Sequence, residues 1–468
     1  MLRFTLACAA AVLLIARQPA NAQATATPSA GMTSQQVQLL LDRLASQEAR
    51  IQQLESKVQL LTGASPAPGA PAPGAPEPAA AVPPPVAPAA AQATQEAAVA
   101  APPVPEESHD LAMALPHGPV LHMRGFFDFN YGVGSIANPL VFPISDNGCG
   151  TCGNPLTPPH NAFQAGEFDL FITSKLSDHL SFLAEVVLGP DDTNVFGPDI
   201  ERYELTYKAS RYFSVKAGRF HTSLGYYNTA YHHGNWFSTA EGRPIMYLFE
   251  DSGGILPMHM VGVSITGEVP RFESLGLHWV AELGNGNSSN PGPEANSVQN
   301  FYADRNYKAT NFAAYIRPQI LSGLQIGGSW YHDGLNPSQA LTPVPIPEIR
   351  QNIESAYVVY FSSDWEFMTE GVMLSNHLFG SPEPLRSPMA YTQIARRFGI
   401  YRPYFRYQYV RDNVNDPINL LRGTYYGPSV GVRMDIFDYA ALKAQYNHLY
   451  QSGQFAGNGF DTQLAFTF

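Results

Sequence analysis

No stretch of this 468-residue chain reaches the eighteen or so apolar residues that a membrane-crossing helix needs, so a helical span is excluded. The longest apolar run, Leu6 to Ile15, is too short; it follows Arg3 and precedes Ala20-Asn21-Ala22. A basic start, an apolar run of that length and an A-x-A site make residues 1–22 a secretory signal peptide, with cleavage expected after Ala22. Charged residues are also scarce, at 14 %, and the formal net charge of −12 becomes −14 once Arg3 and Arg17 leave. An acidic mature chain without a basic stripe excludes nucleic acid as a partner.

Cysteine is nearly absent. Of the three, Cys8 leaves with the signal peptide, and Cys149 and Cys152 remain in a C-G-T-C within a Gly/Pro/Asn-rich stretch. A zinc site would need two more ligands, and none stands nearby at suitable spacing. In an exported chain the simple reading is a local disulfide that staples a loop. There is no H-E-x-x-H, and the adjacent His232 and His233 do not converge on one ion, so neither a metal nor any other cofactor is expected. Gly427-Pro428-Ser429-Val430-Gly431 matches G-x-S-x-G but lies within the period-two pattern and not at a strand-to-helix turn, and the chain reads as a non-enzyme. Triads assemble from distant positions, so an assay with chromogenic esters and peptides is the check.

Three segments follow the signal peptide. In residues 32–62, Val37, Leu44, Ile51 and Val58 recur every seventh position, and Leu40, Gln47, Leu54 and Leu61 fall at the complementary one. Arg43 and Arg50 at g would face Glu48 and Glu55 at e of a neighbouring parallel chain, which a lone amphipathic helix would not require. The expectation is a coiled-coil homo-oligomer with Val37, Leu40, Leu44, Ile51, Leu54, Val58 and Leu61 in its seam; Gln47 at d leaves dimer and trimer open. Residues 63–117 are dominated by Ala and Pro, lack apolar periodicity, and read as a semi-stiff linker.

Residues 118–468 carry a period of two. Leu121, Met123, Phe127 and Phe129 alternate with His122, Arg124, Asp128 and Asn130; Phe405, Tyr407 and Tyr409 alternate with Arg406 and Gln408; Val430, Val432 and Met434 alternate with Gly431, Arg433 and Asp435. A soluble sandwich also alternates. Three features favour a membrane barrel: about sixteen such stretches, an even number; short turns such as Leu176–Asp178 and Ser362–Asp364 alternating with long loops such as Gly132–Ala162 and Thr222–Pro257; and a final strand in which Phe460, Leu464, Phe466 and Phe468 share one face, as a last strand that must pair with the first would.

An alternating final strand that ends on phenylalanine resembles the insertion signal of bacterial outer-membrane barrels. The segment from 118 to 468 is similar to a sixteen-stranded porin of the general or phosphate-selective type, and the coiled coil with its spacer resembles porins that carry a periplasmic extension. The fold class expected is therefore all-β, a transmembrane antiparallel barrel, placed in the outer membrane with the coiled coil in the periplasm. The resemblance implies a bilayer with lipopolysaccharide, the outer-membrane assembly machinery and other copies of the chain, with trimers favoured, as partners. It implies passive diffusion of small hydrophilic solutes, with a mild preference for anions; the alternative is a barrel that tethers the outer membrane to the cell wall through its coiled coil.

A barrel of sixteen strands leaves an aqueous lumen. The inward positions include Arg124, Lys175, Arg202, Lys208, Lys216, Arg317, Arg402, Arg406, Arg433 and Lys443, an expected basic wall. In porins the loop after the fifth strand folds into the lumen. Here that loop, Thr222–Pro257, holds His232, His233, Glu241, Arg243, Glu250 and Asp251. The expectation is that Glu241, Glu250 and Asp251 face the basic wall across the opening and filter ions.

Overall fold

A computed structural model describes residues 119–134, 162–190, 196–231, 235–247, 256–286, 306–335, 348–411, 413, 415–417, 424–451 and 457–468. The signal peptide, coiled coil and linker, together with Cys149, Cys152, His232, His233, Glu250 and Asp251, lie outside the described residues.

Sixteen antiparallel strands close into one barrel, each hydrogen-bonded to its sequence neighbours and the last to the first. They are β1 (Val120–Gly134), β2 (Ala162–Lys175), β3 (Leu180–Pro190), β4 (Phe196–Ser210), β5 (Phe213–His221), β6 (His259–Glu268), β7 (Leu277–Asn285), β8 (Ala309–Ile316), β9 (Leu324–Leu335), β10 (Ile349–Phe361), β11 (Trp365–Leu378), β12 (Leu385–Arg396), β13 (Tyr401–Arg411), β14 (Thr424–Phe437), β15 (Ala440–Gln451) and β16 (Gly457–Thr467). The strand count and the alternation of short and long connections agree with the sequence reading. Connections leave the two ends of the barrel alternately: at one end none exceeds eight residues, and the long loops lie at the other, together with the short β3–β4, β11–β12 and β15–β16 connections.

Closure runs through β1 and β16, where Phe127 faces Phe466 and Asn130 faces Gln463. Phe468 continues the pairing, exchanging backbone hydrogen bonds with Gly125 at 2.8 and 2.9 Å. A closed barrel leaves no strand edge exposed.

The period of two sorts side chains by face. Phe405, Tyr407, Val430, Leu442, Tyr446, Phe460, Leu464 and Phe468 are exposed on the outside. Buried polar side chains such as Asp128, Glu282, Glu370, Gln393, Lys443 and Asp461 point inwards. An apolar exterior around a polar interior inverts the soluble arrangement and is what a bilayer demands of a barrel. Among the described residues no helix is long and apolar enough to cross a membrane, which leaves crossing by strands untouched.

One of the breaks in the alternation lies in β5. Gly218 in β5 has φ +136°, and a Cβ there would run into the Tyr203 carbonyl of β4. Beyond it Arg219, Phe220 and His221 are all buried, so the last turn of β5 is covered on both faces.

Candidate functional site

The loop between β5 and β6 packs on the inner wall, and its folding begins at its neck. His221 and His259, the last residue of β5 and the first of β6, pair in register. Thr222 N–H then donates to the Met258 carbonyl at 2.9 Å, and Asn228 Nδ2 donates to the carbonyls of Thr222 and Met258 at 2.8 and 2.9 Å. These bonds close the neck of the loop.

Gly225 turns the loop onto β11. Its φ is +73°, and a Cβ would collide with the Tyr247 hydroxyl and the Glu370 carboxylate. The close approach lets Glu370 collect four donors: Tyr227 N–H (2.8 Å) and the Tyr391 hydroxyl on Oε1, Tyr226 N–H (2.6 Å) and the Tyr247 hydroxyl (2.9 Å) on Oε2. A carboxylate offers about four lone-pair sites, and all are used. Two of the donors belong to the start of the short helix α1 (Tyr227–Ala230), whose first N–H groups have no partner within the helix. A second carboxylate, Glu282 of β7, takes Ser223 N–H at 3.0 Å, the Ser223 hydroxyl at 2.8 Å and Asn311 Nδ2 at 2.8 Å.

Around these polar anchors lies an apolar cluster. Leu224, Tyr226, Tyr227, Ile245, Met246, Tyr247, Leu256 and Met258 from the loop region pack on Ile353, Val359, Met368, Val372, Leu374, Met389 and Tyr391 of the wall. Each such side chain contributes on the order of 1.5–3 kcal/mol relative to exposure. On the inward face of β11, Met368, Val372 and Leu374 lie beneath the loop beside Glu370.

Four of the residues expected as a bare basic wall hold the loop instead. Lys443 Nζ donates to the carbonyls of Asn235 and Ala240 and to the Ser238 hydroxyl. Arg433 Nη1 donates to the carbonyls of Trp236 and Ser238, Arg406 Nη1 to that of Gly242 at 2.9 Å, and Arg402 Nη1 to the Thr239 hydroxyl at 3.2 Å. Arg406 is 1 % exposed and Lys443 0 %, so neither faces open solvent. Buried cations need acceptors, and a loop backbone with unused carbonyls supplies them.

Glu241 also departs from its expected place. It does not look at the wall across an opening; it lies against it, with its N–H on the Tyr404 hydroxyl (3.2 Å) and Oε2 accepting from Gln445 (3.2 Å). Burial pushes its carboxyl up to about 7; Lys443 and Arg406 oppose the rise and Asp128 adds to it. Arg243 is likewise buried.

The other basic residues stand apart from this contact. Arg124, Lys175 and Lys208 are exposed, and Lys216 and Arg317 are partly so. Most are already engaged: Lys216 pairs with Glu204 at 3.1 Å, Arg202 with Glu185, Lys175 with Asp178 at 3.1 Å, and Arg317 Nε donates to Gln325 Oε1 at 2.8 Å. Inward side chains of β11–β16 are nearly all buried. Solvent reaches those of β3–β8 towards the short-turn end, among them Ser181, Thr206, Ser214, Thr266 and His278.

The sequence reading missed Glu370 and Glu282. Glu370 had a signal: a lone acid among the inward apolar residues Met368, Val372 and Leu374 is out of place unless donors meet it. Among the described residues no group of three or more His, Cys, Asp or Glu side chains is placed to hold a metal.

No protein-family profile matches the chain, and no curated protein matches its sequence. Solved structures share the fold. OmpT of Vibrio cholerae, an outer-membrane protein folded in vitro, is 10 % identical with a TM-score of 0.50, over 77 % of this chain and 100 % of that one. OmpF of Salmonella typhi, in complex with daunomycin, is 9 % identical with a TM-score of 0.49, over 75 % and 98 %. A mutant of the Rh. blastica porin is 10 % identical with a TM-score of 0.40, over 74 % and 100 %. At such identity the likeness is one of fold.

Proposed function

We propose that this protein is an outer-membrane porin through which small hydrophilic solutes diffuse passively. The observation that carries the reading is a closed sixteen-stranded barrel, apolar outside and polar within, whose β5–β6 loop is bound to one side of the inner wall. In this reading the short turns face the periplasm and the long loops the exterior. The solvent-reached wall of β3–β8 lines the periplasmic vestibule. There Lys208, Lys216 and Arg317 meet the solute, with Arg124 of β1 and Lys175 of β2 beside them, while Arg402, Arg406, Arg433 and Lys443 act by fixing the loop. Because Lys216, Arg202 and Lys175 each have a carboxylate partner, the preference for anions is weak. Phe460, Leu464, Phe466 and Phe468 serve as the insertion signal, and the heptads of residues 32–62 join copies into an oligomer, trimers before dimers.

The test is single-channel current of purified protein in a planar bilayer under a salt gradient. Stable large steps are expected, with a small reversal potential of the anion sign. Folded, inserted protein that stays silent would remove the porin reading. A second reading draws on the near-complete burial of the inner wall of β11–β16: a closed barrel that anchors the coiled coil as a cell-wall tether. It expects no conductance, and copurification with the cell-wall layer.

A further inference from the structure

The outer face of the barrel is not uniform. From β12 to β16 one register row reads Ile394, Phe405, Val430, Tyr446 and Phe460, each of them exposed. Such a surface suits lipid tails. The outer face of β10–β12 is of a different kind. Gln351, Ile353 and Ser355 of β10 are buried inside the barrel, so Asn352, Glu354 and Ala356 between them point outwards. Glu354 stands near the middle of its strand and is exposed. Its register neighbours are Trp330 of β9 and Met373 of β11, and neither brings it a positive charge.

Two guanidinium groups share this wall. Arg350 lies further along the same face of β10, and Arg386 of β12 stands in one register row with Asn352 and Ser375; both are exposed. Among the described residues, the charged groups of Glu354, Arg350 and Arg386 have neither a hydrogen bond nor an ion pair. Beside them the backbone is nearly bare. Ala356, Gly371 and Ala390 pair in register across β10, β11 and β12, and the row continues through Gly328 of β9 to Ala314 of β8.

Lipid tails offer neither donors nor counter-charges, so an unpaired acid and two unpaired bases at this face are costly against them. A second copy of the same wall offers each of them its opposite sign. The bare row lets two such walls approach closely. Closed oligomers turn one and the same wall of every copy towards the symmetry axis.

We propose that the outer wall of β10–β12 is the surface on which copies of this chain meet within the membrane, with Glu354 of one copy paired to Arg386 of the next. The inference rests on the barrel spanning the outer membrane, as the porin reading has it. The heptads gather the copies, and the wall sets which way the barrels face.

The experiment uses the full-length protein in outer-membrane vesicles, with Cys149 and Cys152 changed to Ser. Single cysteines are introduced as Ala356→Cys, Ala390→Cys and, on β4 at the opposite side of the barrel, Leu205→Cys. Oxidation is expected to join the first two into dimers on a gel without reductant and to leave the third monomeric. In the unlabelled chain, Glu354→Lys and Arg386→Glu each lower the temperature at which the oligomer separates into folded monomers, and the double variant restores it. Cross-linking at Leu205→Cys alone, or at none of the three positions, overturns the proposal, as does a charge exchange that restores nothing. Lipopolysaccharide lost from Arg386→Glu with the oligomer's separation temperature unchanged would assign the wall to lipid and overturn it too. Conductance read on the same samples judges the porin reading separately, because each lumen closes within one chain.

Discussion

Glu370 shows how much one side chain can organise. Its four donors come from two points of the loop and from β12, so it fixes the loop start, the Tyr247 segment and the wall together. Glu370→Ala leaves those donors without an acceptor and opens a cavity, at a cost of at least about 3 kcal/mol. The expected outcome is a lower thermal midpoint and noisier channel current than the parent. Glu241 gives a pH dependence. Its carboxyl titrates near 7 in the folded protein and lower when unfolded, so the folded chain holds the proton more tightly. Its stabilising contribution is complete below the unfolded value and is lost as pH rises through about 7. The same titration adds negative charge, so the reversal potential moves towards cations across neutral pH. Glu241→Gln flattens that part of the profile, and an unchanged profile would contradict the assignment.

At the scale of the element, β5 and its loop depend on a backbone conformation rather than a contact. The positive φ of Gly218 and the adjacent Tyr203 carbonyl leave no room for a side chain. Gly218→Val costs about 1–3 kcal/mol in backbone strain alone, and the clash adds to it. The yield of heat-resistant folded barrel, read as a shift in gel mobility, is expected to fall. Basic strands β13, β14 and β15 illustrate a different point. Alternation shows correctly that Arg406, Arg433 and Lys443 face inwards, yet an inward position can be open lumen or a seat for a loop. The distinction depends on which carbonyls the loop presents, and those lie about two hundred residues away in sequence.

For the whole molecule, closure requires only Val120 to Phe468. A chain lacking residues 23–117 is therefore expected to refold to a barrel with the parent's single-channel step. If the heptads join the copies, it does so as a monomer, which sedimentation in detergent will show. An oligomer that survives the deletion would place the interface on the barrel wall.

The sequence by itself determined the architecture: alternation, paired with short and long connections, specified strands, their number and their faces. These signals are local, because a strand places successive side chains on opposite faces whatever it pairs with. It also indicated which loop matters, since the segment after the fifth strand is long and rich in aromatic and ionisable residues. Only the tertiary structure decided where that loop lies, that Glu370 and Glu282 anchor it, and that Lys443 and Arg406 are covered rather than bare. Those outcomes rest on meetings between β1, β7, β11, β13, β15 and the loop, which are distant in the chain. A carboxylate or an ammonium in a strand carries no mark of its partner until closure brings the strands around one lumen.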